Sequence, residues 1–225
     1  MKYTTVFFDL DNTLLDFSAG EACAVAQVLK ENGLPCDDDT VKLYSKINKS
    51  YWERFENGEI PKSAIFESRF KTLLECLGKE GNPAKITKEY GYNLSLQHQT
   101  VKGAKEILCY LRSAGLRIYA TTNGIAATQY RRIKESGLEP LFDGVFVSEQ
   151  AGHQKPEKEY FDFVIEHIPE KDRRKMLIVG DSQSSDILGG INSGIDTCWY
   201  NPHAQMAKYP SAFEINTLNE LKNYI

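Results

Sequence analysis

Five short, nearly continuous apolar runs recur along the chain, and each gives way at once to polar residues. They are Val6-Phe7-Phe8, Leu116-Arg117-Ile118-Tyr119-Ala120, Val145-Phe146-Val147, Met176-Leu177-Ile178-Val179 and Thr197-Cys198-Trp199-Tyr200. Runs of this kind suit strands buried on both faces, as in a parallel sheet covered by helices. Helical patterns lie between most of them. One places Val101, Ala104, Ile107, Leu108 and Leu111 on one face and stops at Gly115. Another runs from Ala126 to Ser136 and stops at Gly137. Strands alternating with helices predict an α/β fold, an open parallel sheet with crossover helices.

Between Asp16 and about His98 the pattern changes, and no strand is predicted. Ser18-Ala19-Gly20-Glu21 reads as a capping box opening a helix that reaches about Asn32. Val41, Tyr44, Ile47, Tyr51, Trp52 and Phe55 recur at helical spacing, as do Phe66, Phe70, Leu73, Leu74 and Leu77. This is a helical insertion after the first strand. Its ends must lie near each other, because the first strand and the later strands share a sheet. A chain of 225 residues with 41% hydrophobic residues has the length for a core and such an insertion.

The net charge of -4 and pI of about 5.7 argue against a general nucleic-acid or anionic-membrane binder. Attraction for an anionic substrate must then come from a local site. The five cysteines, Cys23, Cys36, Cys76, Cys109 and Cys198, are odd in number and form no C-x-x-C, so neither a disulfide framework nor a zinc ribbon is expected. The N-terminus meets a charge at Asp9 too soon for a signal peptide, and nothing approaches the ~18 apolar residues of a membrane span. A reduced, cytoplasmic protein is expected.

Four polar segments stand at the ends of predicted strands. Asp9-Leu10-Asp11-Asn12-Thr13 follows the first, Thr121-Thr122-Asn123-Gly124 the second, Gly180-Asp181 with Asp186 the fourth, and Lys155-Pro156 lies in a loop after the third. Each has an ordinary reading when taken alone: an Asx-rich turn, a βα turn, a solvated lysine before a helix, an aspartate complementing a helix dipole. Together they read differently. The carboxyl ends of strands in such a sheet converge on one crevice. Two strand ends carry carboxylates suited to a hard cation such as Mg²⁺. A third carries a hydroxyl, an amide and backbone N–H groups able to hold phosphate oxygens. The last loop adds a lysine to neutralise them. That set is what phosphoryl transfer requires. His98, His153, His167 and His203 show no metal-ligand spacing, and neither a G-x-S-x-G elbow nor a Walker A sequence occurs.

These motifs, in this order, resemble the haloacid dehalogenase (HAD) superfamily over essentially the whole chain. The resemblance implies a Rossmann-like parallel-sheet core of residues 1–16 and 98–225, with an inserted helical cap of residues 17–97. It implies that Asp9 is a nucleophile forming an aspartyl phosphate, and that Asp11 is the acid for the leaving oxygen and then the base for water. It implies Mg²⁺ held by the Asp9 carboxylate, the Asp11 backbone carbonyl, Asp181 and Asp186. Thr122 and the N–H of Asn123 would bind the transferring phosphoryl group, and Lys155 would bridge it to Asp9. The aspartate at position 11 favours a phosphatase over a dehalogenase, because a departing halide needs no proton whereas an alkoxide does.

A closer resemblance is to the pyrimidine 5′-nucleotidase branch, which includes bacterial enzymes clearing noncanonical nucleotides. It rests on Asn48-Lys49-Ser50-Tyr51-Trp52 with Phe55-Glu56-Asn57-Gly58, on Arg69-Phe70, and on Ser185 to Gly194. It implies a Mg²⁺-dependent 5′-nucleotidase acting on small phosphate monoesters, with pyrimidine nucleoside monophosphates preferred. The alternatives are a sugar-phosphate or phosphoglycolate phosphatase and a β-phosphoglucomutase-like phosphotransferase; a non-catalytic binding protein on this fold is a remoter one. Oligomeric state is not legible.

Overall fold

The computed structural model describes residues 2–225. Six strands form one parallel sheet: β1 (Thr5–Phe8), β2 (Arg117–Thr122), β3 (Gly144–Val147), β4 (Met176–Gly180), β5 (Asp196–Tyr200) and β6 (Phe213–Ile215), in the order β3-β2-β1-β4-β5-β6. β1 therefore lies inside the sheet, with Phe8 paired to Ala120 of β2 on one side and to Val179 of β4 on the other. The five apolar runs are the first five strands. The α/β expectation holds, and the short edge strand β6 adds to it.

The chain divides into two compact units, one taking in residues up to Asp16 with Thr100–Ile225, the other Phe17–Gln99. In the first, the chain returns beside the place where it left: Leu15 pairs with Thr100, and the Val101 N–H donates to the Leu14 carbonyl at 2.9 Å.

The second unit is four helices: α1 (Phe17–Glu31), α2 (Asp38–Glu56), α3 (Ser63–Leu77) and α4 (Pro83–Ser95). It has its own core, in which Val25, Val28 and Leu29 of α1 join Tyr44, Phe70, Leu73, Ile86 and Tyr90. The rings of Tyr44 and Phe70 stack 4.9 Å apart. α1 begins earlier than expected, so Ser18 and Glu21 lie inside the helix and form no capping box. Glu21 is instead buried, where its carboxylate accepts from Asn48 at 2.6 Å.

Helices α5 (Ala104–Ser113), α6 (Ala126–Glu135), α7 (Ser148–Ala151), α8 (Lys158–Glu166) and α9 (Leu188–Ser193) belong to the first unit. Strand alternation sorts the core onto both sheet faces. Val6, Phe8, Ile118 and Val179 pack with Ile107, Leu108 and Leu111 of α5. Phe7, Tyr119, Met176 and Ile178 pack with Tyr160, Phe161 and Val164 of α8. With both faces covered, only the strand ends can open on a ligand. All five cysteines are free thiols, and among the described residues no helix is long and apolar enough to cross a membrane.

Candidate active site

Asp9 is the first residue beyond β1. Its N–H donates to the Val179 carbonyl at 2.9 Å, so the sheet fixes its backbone. The chain then turns sharply: Leu14 and Leu15 both donate to the Leu10 carbonyl, and Asn12 takes a φ of 58°. Asparagine tolerates that left-handed conformation better than most residues. Thr13 is buried in this turn, and its hydroxyl accepts from the Asp181 N–H at 3.1 Å. The D-x-D-x-T turn after β1 thereby fixes the start of the acidic loop after β4. From the other side, the Trp199 indole N–H donates to the Asp181 carbonyl at 2.9 Å.

Lys155 sits at the centre. It is 1% exposed, and its ammonium donates to Asp9 Oδ1 at 2.6 Å, to Asp186 Oδ1 at 2.7 Å and to the Thr121 carbonyl at 3.0 Å. The reading of this residue as a solvated lysine is therefore excluded. Its backbone is held by Asn123: the Lys155 N–H donates to Asn123 Oδ1 at 2.9 Å, and Asn123 Nδ2 donates to the Lys155 carbonyl at 2.8 Å. The Asn123 side chain is thus spent on positioning Lys155. What it leaves at the end of β2 is its own N–H, beside the Thr122 hydroxyl.

Asp186 is fully buried in a single π-helical turn, Gln183–Ile187, capped by the Ser182 hydroxyl. Its second oxygen accepts from the Ser182 N–H at 3.1 Å. Carboxylate oxygens of Asp9, Asp181 and Asp186 lie within 4.8 Å of one another. Three like charges so close repel, and a single hard cation can span them. Among the described residues, four carboxylates, with Asp11, pair in the site with two basic side chains, Lys155 and Arg132. The excess negative charge and the all-oxygen donor set fit a divalent cation such as Mg²⁺.

Burial pushes the Asp9 carboxyl up to about 7; Lys155 opposes this, while the charges of Asp186 and Asp11 add to it. Burial works to discharge Lys155, but the Asp186 and Asp9 carboxylates outweigh it and raise the lysine, which stays an ammonium.

The structure thus gathers Asp9, Asp11, Thr122, Asn123, Lys155, Asp181 and Asp186 at adjoining strand ends, and adds two residues that the sequence did not mark. Gln129 and Arg132, both buried on α6, donate to the two oxygens of Asp11. In sequence they read as the polar face of a helix. No spacing rule links them to Asp11. Arg69 and Asn48, by contrast, lie in the interior of the second unit, where Arg69 donates to Asn48 Oδ1 at 2.7 Å and lies 4.7 Å from the Tyr90 ring centre.

A parallel sheet with an aspartate, a buried lysine and an acidic loop at its carboxyl edge defines a class of hydrolase. The sequence profile described as haloacid dehalogenase-like hydrolase matches residues 3–194, and the chain belongs to that family. The pyrimidine 5′-nucleotidase PynA of Streptococcus pneumoniae is 40% identical over 90% of this chain and 86% of its own. The pyrimidine 5′-nucleotidase YjjG of Escherichia coli is 31% identical over 100% of this chain and 99% of its own. The crystal structure of the Bacillus subtilis HAD-hydrolase YfnB, bound to magnesium, superposes with a TM-score of 0.94 at 38% identity, covering 100% of this chain and 99% of that one.

Proposed function

We propose that this chain is a Mg²⁺-dependent phosphatase that hydrolyses phosphate monoesters through an aspartyl phosphate on Asp9, and that its substrates are nucleoside 5′-monophosphates, pyrimidine ones preferred. The observation that carries the chemistry is the Lys155 ammonium held between Asp9 and Asp186, with Asp11 two residues beyond the nucleophile. The substrate class is supported by similarity to PynA and YjjG, both named pyrimidine 5′-nucleotidases.

Asp9, Asp181 and Asp186 would hold the cation, with the Asp11 backbone carbonyl. When bound, it offsets carboxylate charge and lets an anionic nucleophile meet an anionic phosphate. Thr122 and the Asn123 N–H hold the phosphoryl oxygens, and Lys155 fixes positive charge beside them. An oxygen of Asp9 attacks phosphorus as the bond to the leaving oxygen breaks, and Asp11 gives that oxygen its proton. Asp11, now a carboxylate, takes a proton from water. The resulting hydroxide oxygen attacks phosphorus, the Asp9–phosphorus bond breaks, and inorganic phosphate leaves.

The four-helix unit is assigned the choice of leaving group, as a cap. Within it, Arg69 donates to Asn48 and Asn48 donates to Glu21, so their part in the resemblance is to the unit's own interior. The test is phosphate release from a panel of nucleoside monophosphates and sugar phosphates, with Mg²⁺ and with EDTA. Release that needs Mg²⁺ and favours UMP or dTMP is expected. Release only from sugar phosphates overturns the nucleotide assignment, and release indifferent to EDTA overturns the cation.

A further inference from the structure

The side chain of Asp11 does not stand alone at the mouth of the site. Gln129 and Arg132 are three residues apart on α6, hence on one face of it, and each is 1% exposed. Arg132 donates through one guanidinium nitrogen to Asp11 Oδ1, and the same nitrogen donates to Gln129 Oε1 at 3.0 Å. The Gln129 amide nitrogen donates to Asp11 Oδ2 at 2.9 Å and to the Thr122 hydroxyl, also at 2.9 Å. The Thr122 hydroxyl in turn accepts from the Gly124 N–H at 3.0 Å. Gln129 lies so close over Gly124 that a Cβ there would fall 2.7 Å from its side chain. The turn after β2 is shaped to admit this glutamine.

The two bonds on Asp11 differ in kind. Arg132 brings a full positive charge to Oδ1, whereas the donor on Oδ2 is the uncharged Gln129 amide, so Oδ1 is held as the anionic oxygen and Oδ2 is the one left to carry a proton. We infer that Gln129 and Arg132 are positioning residues for the acid of the reaction: Arg132 anchors Oδ1, Gln129 ties Oδ2 to the phosphoryl-holding Thr122, and Oδ2 is the oxygen that delivers the proton. The inference rests on the phosphatase reading above. The proton passes from Oδ2 to the leaving oxygen, whose electron pair comes from the breaking bond to phosphorus, and Asp11 is left as the carboxylate that Arg132 still holds. A fixed acid shortens the search for the geometry of transfer, and α6 supplies that fixity from a rigid element rather than a loop.

The experiment compares kcat/KM for an alkyl ester, a nucleoside 5′-monophosphate or the best alkyl phosphate of the panel, with that for p-nitrophenyl phosphate. That ratio reports only the steps up to departure of the leaving group. An alkoxide needs the proton and nitrophenolate does not. Arg132→Met and Gln129→Ala, each checked for folding by circular dichroism, are expected to lower kcat/KM for the alkyl ester by about 30-fold or more, and for the aryl ester by less than about threefold. Arg132→Lys is expected to restore most of the loss. Equal losses on the two esters in an active, folded protein overturn the assignment alone. A wild-type protein that releases phosphate from neither ester overturns the phosphatase reading and the assignment with it. Should Arg132→Met fail to fold, Gln129→Ala carries the same comparison.

Discussion

A methyl group at position 180 would sit 2.2 Å from Oδ2 of Asp186 and 2.3 Å from its Cγ. No side chain larger than hydrogen fits there while Asp186 keeps its bonds to Lys155 and to the Ser182 N–H. Gly180→Ala is therefore predicted to cost about 1–3 kcal/mol of folding free energy, as overpacked sites do, and to abolish the rise in Tm that Mg²⁺ produces by binding the folded state. Denaturant unfolding and thermal unfolding with and without Mg²⁺ check it, and wild-type values in both contradict the packing described. At the same scale, Lys155 has three N–H groups and all three have partners, two of them carboxylates. Such a lysine cannot be exchanged for arginine without breaking the set, because a planar guanidinium does not present three bonds from one nitrogen.

The elements are tied at their far ends as well as at the site. The residues leading into β1 bind β5 through Asp196, whose Oδ2 accepts from Lys2 at 2.5 Å and from the Tyr3 hydroxyl at 2.7 Å. Partial burial works to raise the Asp196 carboxyl, but the bonds from Lys2 and Tyr3 outweigh it and hold the carboxyl below the usual carboxylate range. A pKa lowered in the folded state gives stability that is complete above the unfolded pKa and fades as pH falls through the folded one. Asp196→Asn is predicted to lose about 0.5 kcal/mol at pH 7, a small value because the pair is largely exposed, and to match wild type once the carboxyl is protonated. Unfolding curves taken from pH 7 down to pH 3 check this, and a difference that persists or grows at low pH contradicts it. The elements also show which parts of the structure were readable beforehand. β1 to β5 announce themselves because burial on both faces demands continuous apolar runs, and the strand-end positions of Asp9, Asp11, Thr122, Asp181 and Lys155 follow from them. β6 is only three residues long at a sheet edge, with Glu214 exposed, too short for a periodic signal. Ser18 and Glu21 form no capping box because the helix starts earlier, at Phe17, and Glu21 accepts from Asn48, 27 residues away in the buried interior. Gln129 and Arg132 stayed hidden because polar residues on a helix ordinarily face water, and only the folded sheet brings Asp11, 118 and 121 residues away, against them.

The whole molecule carries a net charge of -4, yet the proposed substrate is an anion. The global field does not draw it in, so the local arrangement must: the ammonium of Lys155, the guanidinium of Arg132, the N–H groups ending β2, and the cation proposed for Asp9, Asp181 and Asp186. Each of the two units has its own hydrophobic core, and every residue assigned to the chemistry belongs to the unit that contains the sheet. Under the proposed function, that separation assigns the chemistry to one unit and the choice among substrates to the other. The proposed mechanism places the phosphoryl group on Asp9 during turnover. Its most direct test is rapid acid quenching during turnover with Mg²⁺ and a nucleoside monophosphate, followed by peptide mapping for the acyl phosphate by mass spectrometry. Phosphate is expected on the peptide containing Asp9 and absent from Asp9→Asn, whose turnover falls by at least about 10³-fold. Phosphate on another residue, or turnover by folded Asp9→Asn near the wild-type rate, would contradict it.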